Sequence, residues 1–178
     1  YSSSKIFAGL LNLLVIVMFT RFLNQDEYGR YLIFISYTFF ISSLFYWAHR
    51  LSVFRYLNDY KDNYNIFLKT NLVLFFKITI FIFILNVLAI FLPIDPQLKV
   101  FIYLCSMAGF LKSLFDLNQT ILNMRFKSLF FSINIFLKSI FFLSISFFLF
   151  NYTNLKSESL IFGFLISHLI ILLPSFLL

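Results

Sequence analysis

A stripe of charged and amide side chains recurs at steps of three and four residues in an otherwise apolar part of the chain. Its members are Lys112, Asp116, Gln119, Asn123 and Lys127. Residues at this spacing share one face of a helix, and Lys112 and Asp116 have the i,i+4 spacing of an ion pair. The stripe could line the inner mouth of a path through a membrane. The alternative is that it marks the end at which a helix leaves the membrane.

Two further lysines lie near the middle of long apolar stretches. Lys138 follows Asn134 by one helical turn, and Lys77 lies in an earlier stretch. A lysine at the centre of a membrane helix costs about 2.5–3.5 kcal/mol, so it usually faces a polar cavity or a partner. Its long side chain can instead reach the lipid headgroups. We predict a cavity position for Lys138 and leave both interpretations open for Lys77.

A second periodic pattern predicts packing rather than binding. Ser132, Ser139 and Ser146 repeat every seven residues. Small residues at helical spacing let two membrane helices approach closely. We therefore expect these serines to face a neighbouring helix.

No pattern in the chain is typical of hydrolytic, redox or metal chemistry. The phosphate-binding loop, the zinc-hydrolase motif and the nucleophile elbow are absent from the sequence, and Cys105 is the only cysteine. We therefore predict no catalytic residue, no metal site and no cofactor, and we expect that the protein is not an enzyme.

The elements that must position these residues are six apolar stretches separated by short polar breaks. Of 178 residues, 61% are hydrophobic and 12% are charged, whereas soluble domains have about 25% charged residues. A helix of roughly 20 apolar residues crosses the hydrocarbon core of a membrane. The predicted spans are Ile6–Leu23, Tyr31–Ala48, Ile66–Leu92, Leu98–Leu117, Leu129–Phe150 and Leu160–Leu178. The sequence thus predicts an all-α fold, a polytopic transmembrane helix bundle.

The basic residues lie mostly in the breaks, which are predicted at residues 24–30, 50–65, 93–97, 118–127 and 151–159. The net charge is +7, and lipid headgroups and the positive-inside rule explain it without nucleic acid. The distribution favours a cytoplasmic N-terminus, with Arg50 on a cytoplasmic flank. Tyr46 and Trp47, near the end of a span, are typical of anchoring at the membrane interface.

The segment between the first two predicted spans resembles a motif of bacterial polysaccharide flippases. It reads TRFLNQDEYGRY from Thr20 to Tyr31, where Arg21 closes the first helix, Glu27 belongs to a short acidic turn and Gly29 follows an aromatic residue. The segment Trp47–Tyr56, WAHRLSVFRY, is similar to the end of the second helix in that family. The family is the oligosaccharidyl-lipid/polysaccharide branch of the multidrug and polysaccharide exporter superfamily. The resemblance covers about the first third of the chain.

The resemblance implies a two-bundle transporter. Members have two facing bundles of six helices and move undecaprenyl-diphosphate-linked oligosaccharide across the bacterial inner membrane by alternating access, for O-antigen lipopolysaccharide or capsule biosynthesis. The chain starts at Tyr1 rather than Met and stops at Leu178 inside an apolar stretch. We therefore expect residues 1–178 to be the N-terminal six-helix bundle of a protein whose C-terminal half is missing. Other polysaccharide-assembly proteins are further expected partners.

The resemblance also implies a cationic cavity, which suits a diphosphate because ammonium and guanidinium groups pair with phosphate oxygens. By charge and depth, the candidate substrate-binding residues are Lys138, Lys77, Lys112 and Arg50. The candidate polar lining is Asp116, Gln119 and Asn123.

Three other functions stay open at this point. A drug or cation antiporter of the same superfamily would need membrane carboxylates, and Asp116 alone is near membrane depth. A membrane polysaccharide polymerase, which is an enzyme, usually has a large external loop, whereas the predicted outer breaks are short. A purely structural membrane subunit would not need lysines at depth.

Overall fold

In the computed structural model, the described residues are 2–91, 93, 95–153 and 155–175, and they form helices joined by short turns. The elements are α1 (Ser2–Phe22), α2 (Gln25–Ile41), a π-helix (Ser42–Tyr46), α3 (Trp47–Tyr56), a 3-10 helix (Lys61–Asn63), α4 (Tyr64–Ile90), α5 (Pro96–Met124), α6 (Ser128–Tyr152) and α7 (Ser157–Ser175). The structure is 91% helical, and no described residue lies in a strand. The predicted all-α fold is confirmed.

Four helical runs in the described part of the chain are long and apolar enough to cross a membrane. They are Gln25–Tyr56, Tyr64–Leu88, Pro96–Met124 and Ser128–Tyr152. Two shorter apolar helices, Gly9–Phe22 and Ser157–Leu173, fall at the first and sixth predicted spans. The last residues of the third and sixth predicted spans, Leu92 and 176–178, lie outside the described residues. The chain is a helical membrane protein, as its composition predicts.

The break predicted at residues 24–30 is shorter than expected, because α1 ends at Phe22 and helix α2 already begins at Gln25. The backbone N–H of Glu27 donates a 2.9 Å hydrogen bond to Asn24 Oδ1, and the backbone N–H of Asn24 donates a 3.2 Å bond to Glu27 Oε2. These reciprocal bonds cap the free N–H groups at the start of the helix. The polar residues of this segment therefore form the first turns of α2, and Gly29 lies within the helix rather than in a loop.

The break predicted to begin at Arg50 begins only after Tyr56. α2, the π-helix and α3 form one continuous run of 32 residues, Gln25–Tyr56. The segment Trp47–Tyr56 contains neither Gly nor Pro, and arginine is a good helix former. Arg50 is therefore held on a helix, with a defined direction for its side chain.

Helix α5 runs to Met124, further than the predicted span, and ends at a residue with left-handed backbone geometry. Phe126 has φ 56°, a conformation that stops an α-helix and that non-glycine residues rarely adopt. The polar stripe is helical as far as Asn123. The prediction that Lys127 shares its face is wrong, because Lys127 lies beyond this stop and immediately before α6.

The chain divides into two compact units, residues 1–36 with 126–178 and residues 37–125. In the first unit, α6 packs against α1 and α7. A Cβ atom added to Gly163 of α7 would clash with Ser146 Oγ and lie 3.2 Å from Ser146 Cα. Ser139 and Ser146 are both buried. The predicted packing role of the serine stripe is confirmed at Ser146.

In the second unit, the π-helix and α3 pack against α4 and α5. Tyr46 is only 3% exposed. Its hydroxyl forms a 3.0 Å hydrogen bond with Thr79 Oγ1, and its ring lies 4.8 Å from that of Phe75. The prediction that Tyr46 anchors the helix at the membrane interface is therefore wrong, because its hydroxyl finds a partner inside the unit.

Candidate functional site

Two cations of the second unit share one carboxylate. Arg50 Nη1 donates a 2.8 Å hydrogen bond to Asp116 Oδ2, and Lys112 Nζ donates a 2.6 Å bond to the same oxygen. The exposed fractions of the three side chains are 28% for Arg50, 15% for Lys112 and 22% for Asp116. The predicted Lys112–Asp116 pair is confirmed, and Arg50 joins it. We call these residues the Arg50–Asp116–Lys112 cluster; its formal charges leave one positive charge in excess.

Aromatic rings cover both cations of the cluster. Arg50 Cζ lies 4.6 Å from the centre of the Trp47 ring, and Lys112 Nζ lies 4.6 Å from the centre of the Phe39 ring. The negative face of such a ring attracts a cation by about 0.5–2 kcal/mol, the larger values applying away from water. The rings thus help to hold both cationic side chains in apolar surroundings.

A small cavity of about 170 Å³ adjoins the cluster. Its lining consists of the two cations, two serines of the π-helix, one serine of α5 and three aromatic residues: Arg50, Lys112, Ser42, Ser43, Ser113, Phe39, Tyr46 and Trp47. Hydroxyl and cationic donors therefore converge on one small volume. Such a set of groups suits an anion that accepts several hydrogen bonds.

The π-helix places part of this lining and sets the register of Arg50. One π-turn accommodates an extra residue, so the residues that follow it are rotated relative to an uninterrupted α-helix. Ser42, at its first position, shares a 2.8 Å hydrogen bond with Ser113 of α5. Sequence analysis missed Ser42, Ser43 and Ser113, since no glycine, proline or periodic pattern marks a π-turn.

The two amides of the stripe differ in their surroundings. Gln119 is 6% exposed, and within the described structure neither of its side-chain polar atoms has a hydrogen-bond partner. Asn123 is half-buried. A buried amide without a partner carries a desolvation cost, which an ordered water molecule or a ligand would relieve. Neither amide lines the small cavity, so their role as polar lining stays a prediction.

The four predicted cations are not all brought together. Lys77 is exposed on α4, and within the described residues it has neither a hydrogen bond nor an ion pair. It does not line the small cavity. Lys138 is half-buried on α6 in the first unit, one turn after the buried Asn134. The cluster joins only Arg50 and Lys112, and a substrate role for Lys77 and Lys138 stays a prediction.

The residues singled out in the segment Thr20–Tyr31 lie at or near helix ends in the first unit. Arg21 is exposed in the last turn of α1, where a cation interacts favourably with the helix dipole. Glu27 caps α2, and its Oε1 also accepts a 2.7 Å bond from Lys156 Nζ. A Cβ atom on Gly29 would meet no atom within 4 Å. The contacts of Arg21 and Glu27 are therefore those of residues that stabilise helix ends.

Within the described residues, no group of three or more His, Cys, Asp or Glu side chains is placed to hold a metal ion. Comparison of the chain with protein-family models, with curated proteins and with solved structures finds no match. Its function must therefore be argued from the chemistry of its own residues.

Proposed function

We propose that this chain is part of a membrane transporter that moves oligosaccharide linked to undecaprenyl diphosphate from the inner to the outer leaflet of the bacterial inner membrane. The substrate is translocated by alternating access without chemical change, so the protein is not an enzyme. The resemblance of the segment Thr20–Tyr31 to polysaccharide flippases supports the family, and the Arg50–Asp116–Lys112 cluster supports the chemistry.

The observation that carries the proposal is the excess positive charge of the cluster. Two cations face a single carboxylate, and at most 28% of any of the three side chains is exposed. Charge-assisted hydrogen bonds are stronger where water is scarce, and guanidinium binds phosphate oxygens through two parallel bonds. A diphosphate has more negative charge than the Asp116 carboxylate and competes with it for both cations.

The size of the small cavity limits what the cluster holds. Its volume is about 170 Å³, whereas pockets that enclose a whole ligand have roughly 300–1,000 Å³. The cluster therefore suits the phosphate part of the substrate. The prenyl chain remains in the lipid phase, and the sugars bind elsewhere.

The position of Asp116 argues against cation exchange. An antiporter would use a membrane carboxylate to bind the coupling cation, and Asp116 already accepts bonds from two cations through one oxygen. A third cation would be repelled by Arg50 and Lys112 at short range. The arrangement favours binding of an anion.

Deletion of the gene tests the proposal, with the leaflet of the accumulated lipid-linked sugar as the readout. We expect single repeat units on undecaprenyl diphosphate to accumulate in the inner leaflet. Wild-type protein should restore export, and so should the control Lys69→Gln, which removes an exposed lysine of the same unit. The double variant Arg50→Gln/Lys112→Gln should not. Single units already exposed on the outer leaflet would indicate a failed polymerase and contradict the proposal.

A further inference from the structure

A second, larger cavity lies where α3 is followed by α4, in the same unit as the cluster. Its volume is about 510 Å³, within the roughly 300–1,000 Å³ of small-molecule sites. The end of α3, the turn around Tyr60 and the first turns of α4 form its walls. It shares no described lining residue with the small cavity of the cluster. We call it the α3–α4 cavity.

Aromatic faces form one side of the α3–α4 cavity. The rings of Tyr60 and Phe67 are stacked, with centroids 5.1 Å apart and planes 20° from parallel. Tyr56 contributes a third ring, and the two tyrosines are 44% and 49% exposed. The face of an aromatic ring is electrostatically negative, and the weakly positive C–H groups of a sugar ring pack against it. The stacked pair therefore offers a rigid platform for a pyranose.

Hydrogen-bonding groups without charge surround this platform. Ser52, Thr70 and Asn71 each donate a bond of 2.7–2.9 Å to a backbone carbonyl on their own helix. The hydroxyl oxygens of Ser52 and Thr70 remain available as acceptors. Asn63 is exposed, and its side chain has no hydrogen bond within the described structure, so its amide offers both donors and an acceptor.

The described lining of the α3–α4 cavity differs in charge from that of the small cavity. No described residue that lines it is acidic or basic, and the Arg55 guanidinium approaches only the Tyr56 ring, 5.7 Å from its centre. The described lining therefore gives an anionic group no ion pair, and a lipid chain would form no hydrogen bond with its amide and hydroxyl groups. Sugar hydroxyls both donate and accept hydrogen bonds, and a sugar ring also has an apolar face. Among these three kinds of ligand, the sugar matches both sets of lining groups.

We propose that the α3–α4 cavity binds a neutral sugar of the transported oligosaccharide. This inference rests on the proposed function and names a second part of the substrate. The unit then recognises two chemistries at two places, the diphosphate at the Arg50–Asp116–Lys112 cluster and a sugar at the platform of Tyr60 and Phe67.

Saturation-transfer difference NMR tests the sugar site in the full chain, reconstituted in nanodiscs of phosphatidylethanolamine and phosphatidylglycerol. The probes are three neutral disaccharides: N,N′-diacetylchitobiose, maltose and lactose. We expect transfer to the ring C–H protons of at least one disaccharide. Tyr60→Ala should weaken its binding by at least about fivefold, whereas Tyr60→Phe should retain it because the ring remains. Asn63→Ala, a change of an exposed side chain, should also weaken binding.

The matched control is Tyr152→Ala, which removes a tyrosine that is 77% exposed in the first unit; it should leave binding unchanged. If no disaccharide receives transfer, or if Tyr60→Ala and Asn63→Ala bind as wild type does, the sugar site is refuted. The gene deletion separates this failure from that of the transporter. If lipid-linked repeat units accumulate in the inner leaflet but no disaccharide binds, the transporter proposal stands and the sugar site is refuted. If a disaccharide binds and Tyr60→Ala abolishes the binding, but no repeat units accumulate in the inner leaflet, the sugar site stands and the transporter proposal is refuted.

Discussion

Arg50 and Asp116 are 66 positions apart in the chain and are joined by a 2.8 Å hydrogen bond between Nη1 and Oδ2. The bond ties α3 to α5 within the second unit. Because Lys112 bonds to the same oxygen, the carboxylate is the common counter-charge of two cations. The stability of this unit and the binding chemistry proposed for it therefore involve the same three side chains.

Asp116→Asn should destabilise the second unit, because it leaves two cations close together without a counter-charge. We expect a loss of about 1–3 kcal/mol, below the 3–5 kcal/mol of a fully buried pair since the side chains are partly exposed. Lys112→Met in the same chain should recover most of this loss by removing the repulsion. Unfolding by SDS in mixed micelles measures both values, and equal stability of the single and double variants would contradict this account of the cluster.

Insertion of one alanine after Ala48 should rotate Arg50 by about 100° around the axis of α3 and break its bond to Asp116. The insertion should therefore impair export as much as Arg50→Gln does, and Arg50→Gln should have no further effect in the insertion background. Deletion of Ser43 is the matched change: it removes the extra residue of the π-turn, so α3 should keep its register, Arg50 should still face Asp116, and export should be retained. Normal export by the insertion variant, or loss of export by the deletion variant to the level of Arg50→Gln, would contradict this account of how Arg50 is positioned.

Gly163→Ala should force α6 and α7 apart, because the new methyl group would lie 3.2 Å from Ser146 Cα. We expect a loss of about 1–3 kcal/mol, as for other overpacked interfaces. Gly29→Ala is the matched control in a helix of the same unit. Since a Cβ there meets no atom within 4 Å, the control should be neutral or stabilise by up to about 1 kcal/mol. Equal destabilisation of the two variants would argue against close packing at Ser146.

Glu27→Ala should lower the melting temperature of the first unit more than Lys156→Ala does. The first change removes both the reciprocal cap with Asn24 and the ion pair, whereas the second removes only the ion pair. The side chain of Lys156 is 65% exposed, and water screens such a pair strongly. Glu27→Gln should resemble wild type, since the amide oxygen still accepts the bond from Asn24. A larger effect of Lys156→Ala in thermal denaturation would show that the ion pair dominates.

Local patterns in the sequence predict the helices and one of the two ion pairs of the cluster. The i,i+4 spacing of Lys112 and Asp116 fixes their distance on a single helix, so their pairing followed from the sequence. The participation of Arg50 did not follow, because it depends on packing between α3 and α5 and on a π-turn without a sequence signal. The start of α2 was predicted too late, because its capping residues Asn24 and Glu27 are polar and are as typical of a loop as of a helix end.

The sequence also does not predict which aromatic side chains near the ends of the apolar stretches are buried. Tyr46 and Tyr56 both lie near the ends of apolar stretches, where tyrosines favour the membrane interface. Tyr46 is buried and bonded to Thr79, whereas Tyr56 is 44% exposed and lines the α3–α4 cavity. Only the packing of the π-helix and α3 against α4 distinguishes the two residues.

The most direct test of the central claim is transbilayer movement of the substrate in proteoliposomes that contain the purified full chain. The substrate is a single repeat unit on undecaprenyl diphosphate, and the readout is its accessibility to an enzyme added outside. We predict that wild-type protein and Lys69→Gln move it, and that Arg50→Gln/Lys112→Gln slows the movement by at least about tenfold, since each lost charge-assisted bond contributes about 1.5–3 kcal/mol. Equal rates for the double variant and wild type, or wild-type rates no faster than those of empty liposomes, would contradict the account.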